Sequence, residues 1–393
     1  MTDRPDVQAD DSGPPPEGSP TGRWSLLRWF ASSATLNVPQ AASPVAFALL
    51  TLGLTGDASQ GAALILVMTL AQVLGAVPIT RLGRNVAAAR YLQLLVSIRT
   101  IALVLMAALA FFGIPFVWLF VCAAIAGSVN GAAFGYLRSI LNSLTSTAGL
   151  PRALGIAATL GEVTFVLSPV IASGLGSISP TFGILALAAL GFVPCLIVPH
   201  VASVHGEKVQ PARTSVLTPA VGLWLLCATV GGAVVASIEI GAVALALKFG
   251  YEPALAIMFT VPLCIASISG GIWVSVFNRR LSRPVVVLLL LLMAVGATLA
   301  ASGLSLATTI VGAVVIGSVI APLGTYYSLT LDTLVLPEKR AEVFALLRTG
   351  NAVGVIFASS VLTAFSITAA LGAVAASMFA TALLVAAASL PKR

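Results

Sequence analysis

Three ionisable side chains fall within long apolar runs: Arg99, Glu162 and Glu239. An ionised group at the centre of a bilayer costs on the order of 3 kcal/mol even on lenient scales, so each must face protein or water. A carboxylate so placed is suited to two tasks: exchanging a proton, or holding a cation. At helical steps of three, four and seven residues, Glu162 shares a face with Gly155, Ala158 and Pro169, and small residues on that stripe favour close helix packing. Its alternative role is a permanent ion pair with Arg99 or Arg348. Glu239 shares a face with Gly232 and Ala246, and its alternative role is a hydrated carboxylate near Lys248.

A second group consists of amides in otherwise apolar sequence, Asn37, Gln40 and Asn130. Such groups orient a ligand by hydrogen bonds in an apolar pocket, or else serve neighbouring helices and carbonyls freed by Pro39 and Pro44. Polar residues at the ends of apolar runs form a third group: Arg138, Tyr326, Tyr327, Asp332, Glu342 and Arg348. Opposite charges there could pair in one conformation and separate in another, or simply form a solvated face. No Gly-x-x-x-x-Gly-Lys-Ser/Thr loop is present for nucleotide phosphates.

The elements that must position these residues follow from composition. Of 393 residues, 59% are hydrophobic and 8% charged, against roughly 25% charged in a soluble domain. Twelve apolar stretches are predicted as transmembrane helices, at 26–53, 59–80, 88–113, 116–138, 153–177, 181–203, 218–247, 253–277, 284–303, 306–329, 341–366 and 369–390. Little sequence remains for an extramembrane domain, which argues against an enzyme carried on a membrane anchor. Residues 1–23 form an acidic, proline-rich tail predicted to be disordered. The polar stretch 204–217 separates two six-span halves, 24–203 and 218–393. Six is even, so the halves run the same way across the membrane.

Net charge is +7, and its distribution gives the topology. With the N-terminus inside, Arg81, Arg84, Arg90, Arg138, Arg152, Lys208, Arg213, Arg279, Arg280, Arg283, Lys339, Arg340 and Arg348 fall on cytoplasmic segments, and external segments hold only Lys248. Both termini are therefore expected in the cytoplasm, and the basic charge implies no nucleic acid. Trp29, Trp118, Trp224 and Trp273 lie near span ends, as interfacial aromatics do. The four cysteines read as buried hydrophobes, with no disulfide, metal or cofactor expected. Basic turns follow spans two and eight, and GLPRALGIA after span four matches LPEKRAEVFALL after span ten, a trace of duplication.

The turn after span two reads Ala76, Thr80, Arg81, Leu82, Gly83, Arg84, Asn85. It resembles the signature of the major facilitator superfamily, Gly-xxx-Asp-Arg-x-Gly-Arg-Arg, with Thr80 where the family has an acid. The resemblance extends over 24–390. It is nearer still to bacterial, largely actinobacterial, efflux-type members in Glu239 of SIEIGAVALALKFG, Gly270 and Gly271 of SGGIWVS, and Glu342 to Phe344 of AEVFALL. In span five, Gly155, Gly161, Ser168 and Pro169 are similar to the glycine stripe of drug antiporters, with serine before the proline.

The resemblance implies an all-α membrane protein of two six-helix bundles that works by alternating access. It further implies proton-coupled efflux of a small amphipathic or cationic molecule by a monomer in a bacterial cell membrane. An importer of a metabolite, and a transporter-like scaffold or sensor, are the alternatives. On this reading Glu162 and Glu239 carry protons, and Asn37, Gln40, Asn130 and Glu239 meet substrate. Arg81, Arg84, Arg99, Arg138, Asp332, Glu342 and Arg348 act in gating.

Overall fold

The computed structural model describes residues 20–55, 59–199 and 216–389. Residues 1–19 of the tail, the interior of the central linker, His200 and His205 lie outside the described residues. Helix already begins at Pro20, so the last residues assigned to the tail belong to the first span.

Among the described residues, twelve helical segments are long and apolar enough to cross a membrane. The first half comprises α1 (Pro20–Thr55), α2 (Ser59–Leu82), α3 (Ala88–Phe111), α4 (Val117–Ser128), α5 (Asn130–Leu144), α6 (Leu150–Ile178) and α7 (Pro180–Ile197). The second comprises α8 (Pro219–Glu239), α9 (Ala242–Lys248), α10 (Ile257–Phe277), α11 (Arg283–Ser302), α12 (Leu306–Leu334), α13 (Arg340–Ala364) and α14 (Ile367–Ser389). Two predicted spans are interrupted. The fourth breaks at Val129 into α4 and α5, which makes Asn130 the first residue of a helix. The seventh breaks after Glu239, so this carboxylate ends α8 instead of sharing an unbroken face with Ala246.

The two halves repeat one packing scheme. α1 packs on α6 and α7, α2 on α4 and α3 on α7; correspondingly α8 packs on α13 and α14, α10 on α12 and α11 on α14. In lipid, helices gain nothing from hydrophobic transfer against one another, so close backbone packing through small residues replaces it. The face on which α1 begins and α14 ends carries Arg81, Arg84, Arg279 and Arg280, and is called the basic face below.

The tryptophans divide differently from their predicted interfacial placement. Trp118 and Trp273 are exposed, but Trp29 and Trp224 are buried. Trp29 donates through Nε1 to the Leu137 carbonyl at 2.7 Å, which satisfies its one polar atom inside the first bundle. Trp224 meets Tyr326 edge-on at 5.1 Å, and Tyr327, placed by sequence at a polar rim, is buried beside it.

Candidate functional site

Between the halves lies a cavity of about 430 Å³, within the range of small-molecule sites. Asn37 and Gln40 enter it from α1, Phe134 and Arg138 from α5, and Glu162 from α6. The second half contributes Gly232 and Glu239 from α8, Tyr327 from α12, and Arg348 and Asn351 from α13. Residues from distant parts of the chain thus meet in one space. Glu162 and Glu239 come from opposite halves and line the same cavity. Among the described residues, neither carboxylate forms an ion pair, so the pairing of Glu162 with Arg99 or Arg348 is not made.

Both arginines are held instead by neutral acceptors. Arg99 is 3% exposed inside the first bundle, where Nη1 donates to the Leu36 carbonyl at 2.9 Å and Asn130 Oδ1 at 3.2 Å. Its Nη2 donates to the Gly191 carbonyl at 2.8 Å. These bonds tie α3 to α1, α5 and α7 within one half, away from any gate between the halves. Removing the side chain by Arg99→Ala is expected to destabilise the protein by about 3 kcal/mol or more, since charge-assisted bonds contribute roughly 1.5–3 kcal/mol each. Thermal unfolding in detergent measures this; an unchanged midpoint with transport lost would instead place Arg99 in the transport step.

Asn130 is buried and absent from the cavity wall, contrary to its expected contact with substrate. The reason is its hydrogen bonding. Its amide donates to Gln40 Oε1 and, at 2.9 Å, to Gln72 Oε1, while its carbonyl oxygen accepts from Arg99. Gln40 lines the cavity and receives Arg348 Nη2 at 2.9 Å from the other half. The same nitrogen reaches Asn37 Oδ1 at 3.3 Å, and the guanidinium lies over the Phe134 ring at 5.3 Å. An unbroken series of polar contacts therefore runs from Arg348 through Gln40 and Asn130 to Arg99.

At the basic face the halves are drawn together. Arg81, in the last turn of α2, donates to Glu342 of α13 from Nε at 3.0 Å and Nη2 at 2.7 Å. Two tyrosines fix the α2 end that carries it: Tyr91 donates to the Ile79 carbonyl at 2.7 Å and Tyr136 to the Thr80 carbonyl at 2.8 Å. Thr80, at the family's acidic position, turns its hydroxyl back to the Ala76 carbonyl at 2.6 Å. Arg84 is exposed and makes no ion pair among the described residues.

Arg138 reaches Asp332 only indirectly. It donates to Asn142 Oδ1 at 2.8 Å, and Asn142 donates to Asp332 Oδ1 on α12. Asp332 itself pairs with Arg340 at 2.9 Å. The Arg138 guanidinium also stacks 4.5 Å above the ring of Phe344, a cation–π contact across the halves. Beside these bonds, α6 and α10 approach so closely that a Cβ on Gly155 would fall 2.7 Å from the Gly271 carbonyl oxygen. Asn278, at φ 46° after α10, caps the seam, accepting from the Arg152 backbone at 2.9 Å and donating to the Ala148 carbonyl at 2.9 Å.

Sequence reading missed Gln72, Asn142 and Arg340. Asn142 had a local signal, because it lies four residues after Arg138 on one helix face. Gln72 had the same signal as Asn130, a lone amide in an apolar run.

Two repeated six-helix bundles enclosing a central, largely apolar cavity, with polar contacts joining the halves at one face, define a membrane transporter fold. The family model of the Major Facilitator Superfamily matches residues 29–359, and the chain belongs to that family. Solved structures of similar fold include a bacterial homologue of the iron transporter ferroportin in an outward-facing state, with TM-score 0.74 and 15% identity, covering 93% of this chain and 97% of that one. The Escherichia coli fucose:proton symporter has TM-score 0.72 and 11% identity, covering 94% and 99%. The human organic anion transporter MFSD10 (TETRAN) has TM-score 0.70 and 15% identity, covering 93% and 100%. No protein among curated sequences matches it.

Proposed function

We propose that the protein is a monomeric, proton-coupled exporter of small amphipathic or cationic molecules in a bacterial cell membrane, with its basic face and both termini in the cytoplasm. The central observation is that Glu162 and Glu239, from opposite halves, share one cavity without a cation partner among the described residues. An unpaired charge in an apolar setting requires compensation, which a proton or a cationic ligand supplies. If the two compete for the same carboxylates, each departs as the other arrives. That exclusion is the elementary requirement for antiport.

On this reading the bonds at the basic face form the inner gate, and the structure corresponds to an outward-facing state. The functional units are the two bundles, 24–203 and 218–393, with 204–217 as a cytoplasmic connection. Arg81, Arg138, Asp332 and Glu342 latch the halves. Asn37, Gln40 and Arg348 meet substrate, while Asn130 acts through Gln40.

The test is the acid-inside pH gradient of everted vesicles enriched in the protein, challenged with lipophilic cations, neutral compounds and anions. Partial collapse by particular cations, absent in Glu239→Gln vesicles, is the expected result. Equal collapse in wild type and variant would refute coupling through Glu239.

A further inference from the structure

We propose that the preferred substrate class is zwitterionic, with the anionic group held by Arg348 and the cationic group by Glu239 and Glu162. The inference rests on the transport reading above and gives it a chemical selectivity. It starts from an imbalance in the polar contacts. Arg348 lines the cavity, yet both of its hydrogen bonds leave from Nη2 and end on neutral amides. Among the described residues, Nε and Nη1 have no partner and no carboxylate pairs with this guanidinium. A guanidinium carries five donors in a rigid planar fork that matches a carboxylate or phosphate. Donors remain available to a ligand.

The charges are also separated along the transport axis. Gly232 of α8 abuts Asn351 of α13, where an added Cβ would lie 3.1 Å from the Asn351 carbonyl oxygen. Both helices run away from the basic face. From this shared level Arg348 lies three residues toward the basic face, and Glu239 lies seven residues the other way. At 1.5 Å per residue their backbones are about 15 Å apart along the axis. A ligand that touches both groups must span the distance between them inside the cavity.

Arg138, the other cation on the wall, is 4% exposed and is turned to Asn142 and the Phe344 ring at the seam. Its Nε and Nη2 are buried and unpartnered among the described residues, whereas Arg348 is only half-buried and more open to a ligand. A purely cationic ligand would leave Arg348 uncompensated, and a purely anionic one would leave both carboxylates so. A zwitterion compensates both ends. Phe134 and Phe165 on the wall provide an apolar surface for the part between them.

The proposal is tested by calorimetric binding to purified protein of a matched series: phenylalanyl-phenylalanine, its methyl ester and its N-acetyl derivative. They are respectively zwitterionic, cationic and anionic at neutral pH. The free dipeptide is expected to bind about tenfold more tightly than either derivative, the effect of one charge-assisted contact at each end. Arg348→Gln is expected to abolish the advantage over the ester, and Arg348→Lys to retain part of it. An ester that binds as tightly as the dipeptide in wild type, a preference for the N-acetyl form, or no binding by any member would overturn the proposal. Because binding is measured without a gradient, zwitterion preference without gradient collapse contradicts only proton coupling. Collapse by cations with no zwitterion preference contradicts only the selectivity.

Discussion

Glu239→Gln is expected to reduce proton-driven export by on the order of 100-fold or more while leaving the protein folded. The substitution keeps the shape of the side chain and removes only its capacity for negative charge. At contact distance a unit charge pair contributes roughly 4 kcal/mol at an effective dielectric of 20, more than enough for that loss. Glu239 ends α8, is exposed toward the cavity, and makes no ion pair among the described residues, so no neighbouring bond collapses when it is neutralised. Glu162→Gln is expected to give a loss of the same kind. The double variant should be scarcely worse than either single one, because two carboxylates acting on one ligand form a coupled unit. Initial rates of export in cells or vesicles, beside unfolding midpoints of the purified variants, measure this. Additive losses would mean that the two groups act at separate steps.

The second large effect is expected at the inner gate. Gly135 of α5 faces α13 so closely that an added Cβ would lie 2.2 Å from the Ala341 carbonyl oxygen. The obstructing atom is backbone, which cannot rotate away. Gly135→Leu therefore forces the halves apart at the basic face, and overpacking of this kind costs about 1–3 kcal/mol or more. A cost of that size shifts a two-state equilibrium by roughly 10- to 100-fold toward the state in which this contact is absent. The basic face should open. A cysteine introduced at cavity-lining Ser33, in a background without the four native cysteines, should then react faster with an impermeant thiol reagent applied from that side. Unchanged reactivity would show that α5 and α13 remain packed throughout the cycle.

The gate and the cavity were legible to different degrees for physical reasons. Hydropathy identifies twelve spans because a membrane helix is specified by local composition, but where a helix stops is less legible: the fourth and tenth run on to Leu144 and Leu334, and the sixth and seventh stop at Ile197 and Glu239, short of the predicted ends. Which residues meet is a different matter. Arg81 and Glu342 are 261 positions apart, and each alone resembles an ordinary surface charge. Only the antiparallel meeting of α2 and α13 makes them a pair. Asn130 and Gln40 carry the same amide signal in sequence, yet one is enclosed by Arg99, Gln72 and Gln40 while the other faces the cavity. Helix rotation separates them, and a periodic apolar pattern that is apolar all round does not report rotation. Trp29 and Trp224 are buried for a similar reason: their positions near span ends suit an interface, but their helices face inward there.

The breaks at Val129 and after Glu239 also escaped hydropathy, since neither is marked by proline and a single carboxylate does not end an apolar run. The second bears on function, because it places a carboxylate at a helix end beside the cavity.

The most direct test of the central claim, that proton and substrate exclude one another on Glu162 and Glu239, is proton release on binding. Purified protein in weakly buffered detergent solution, with a pH indicator, would be titrated with a lipophilic cation that collapses the vesicle gradient. The account predicts release of protons in proportion to cation bound, reduced in Glu239→Gln. Saturable binding with no proton release at any pH, in wild-type protein, would contradict it.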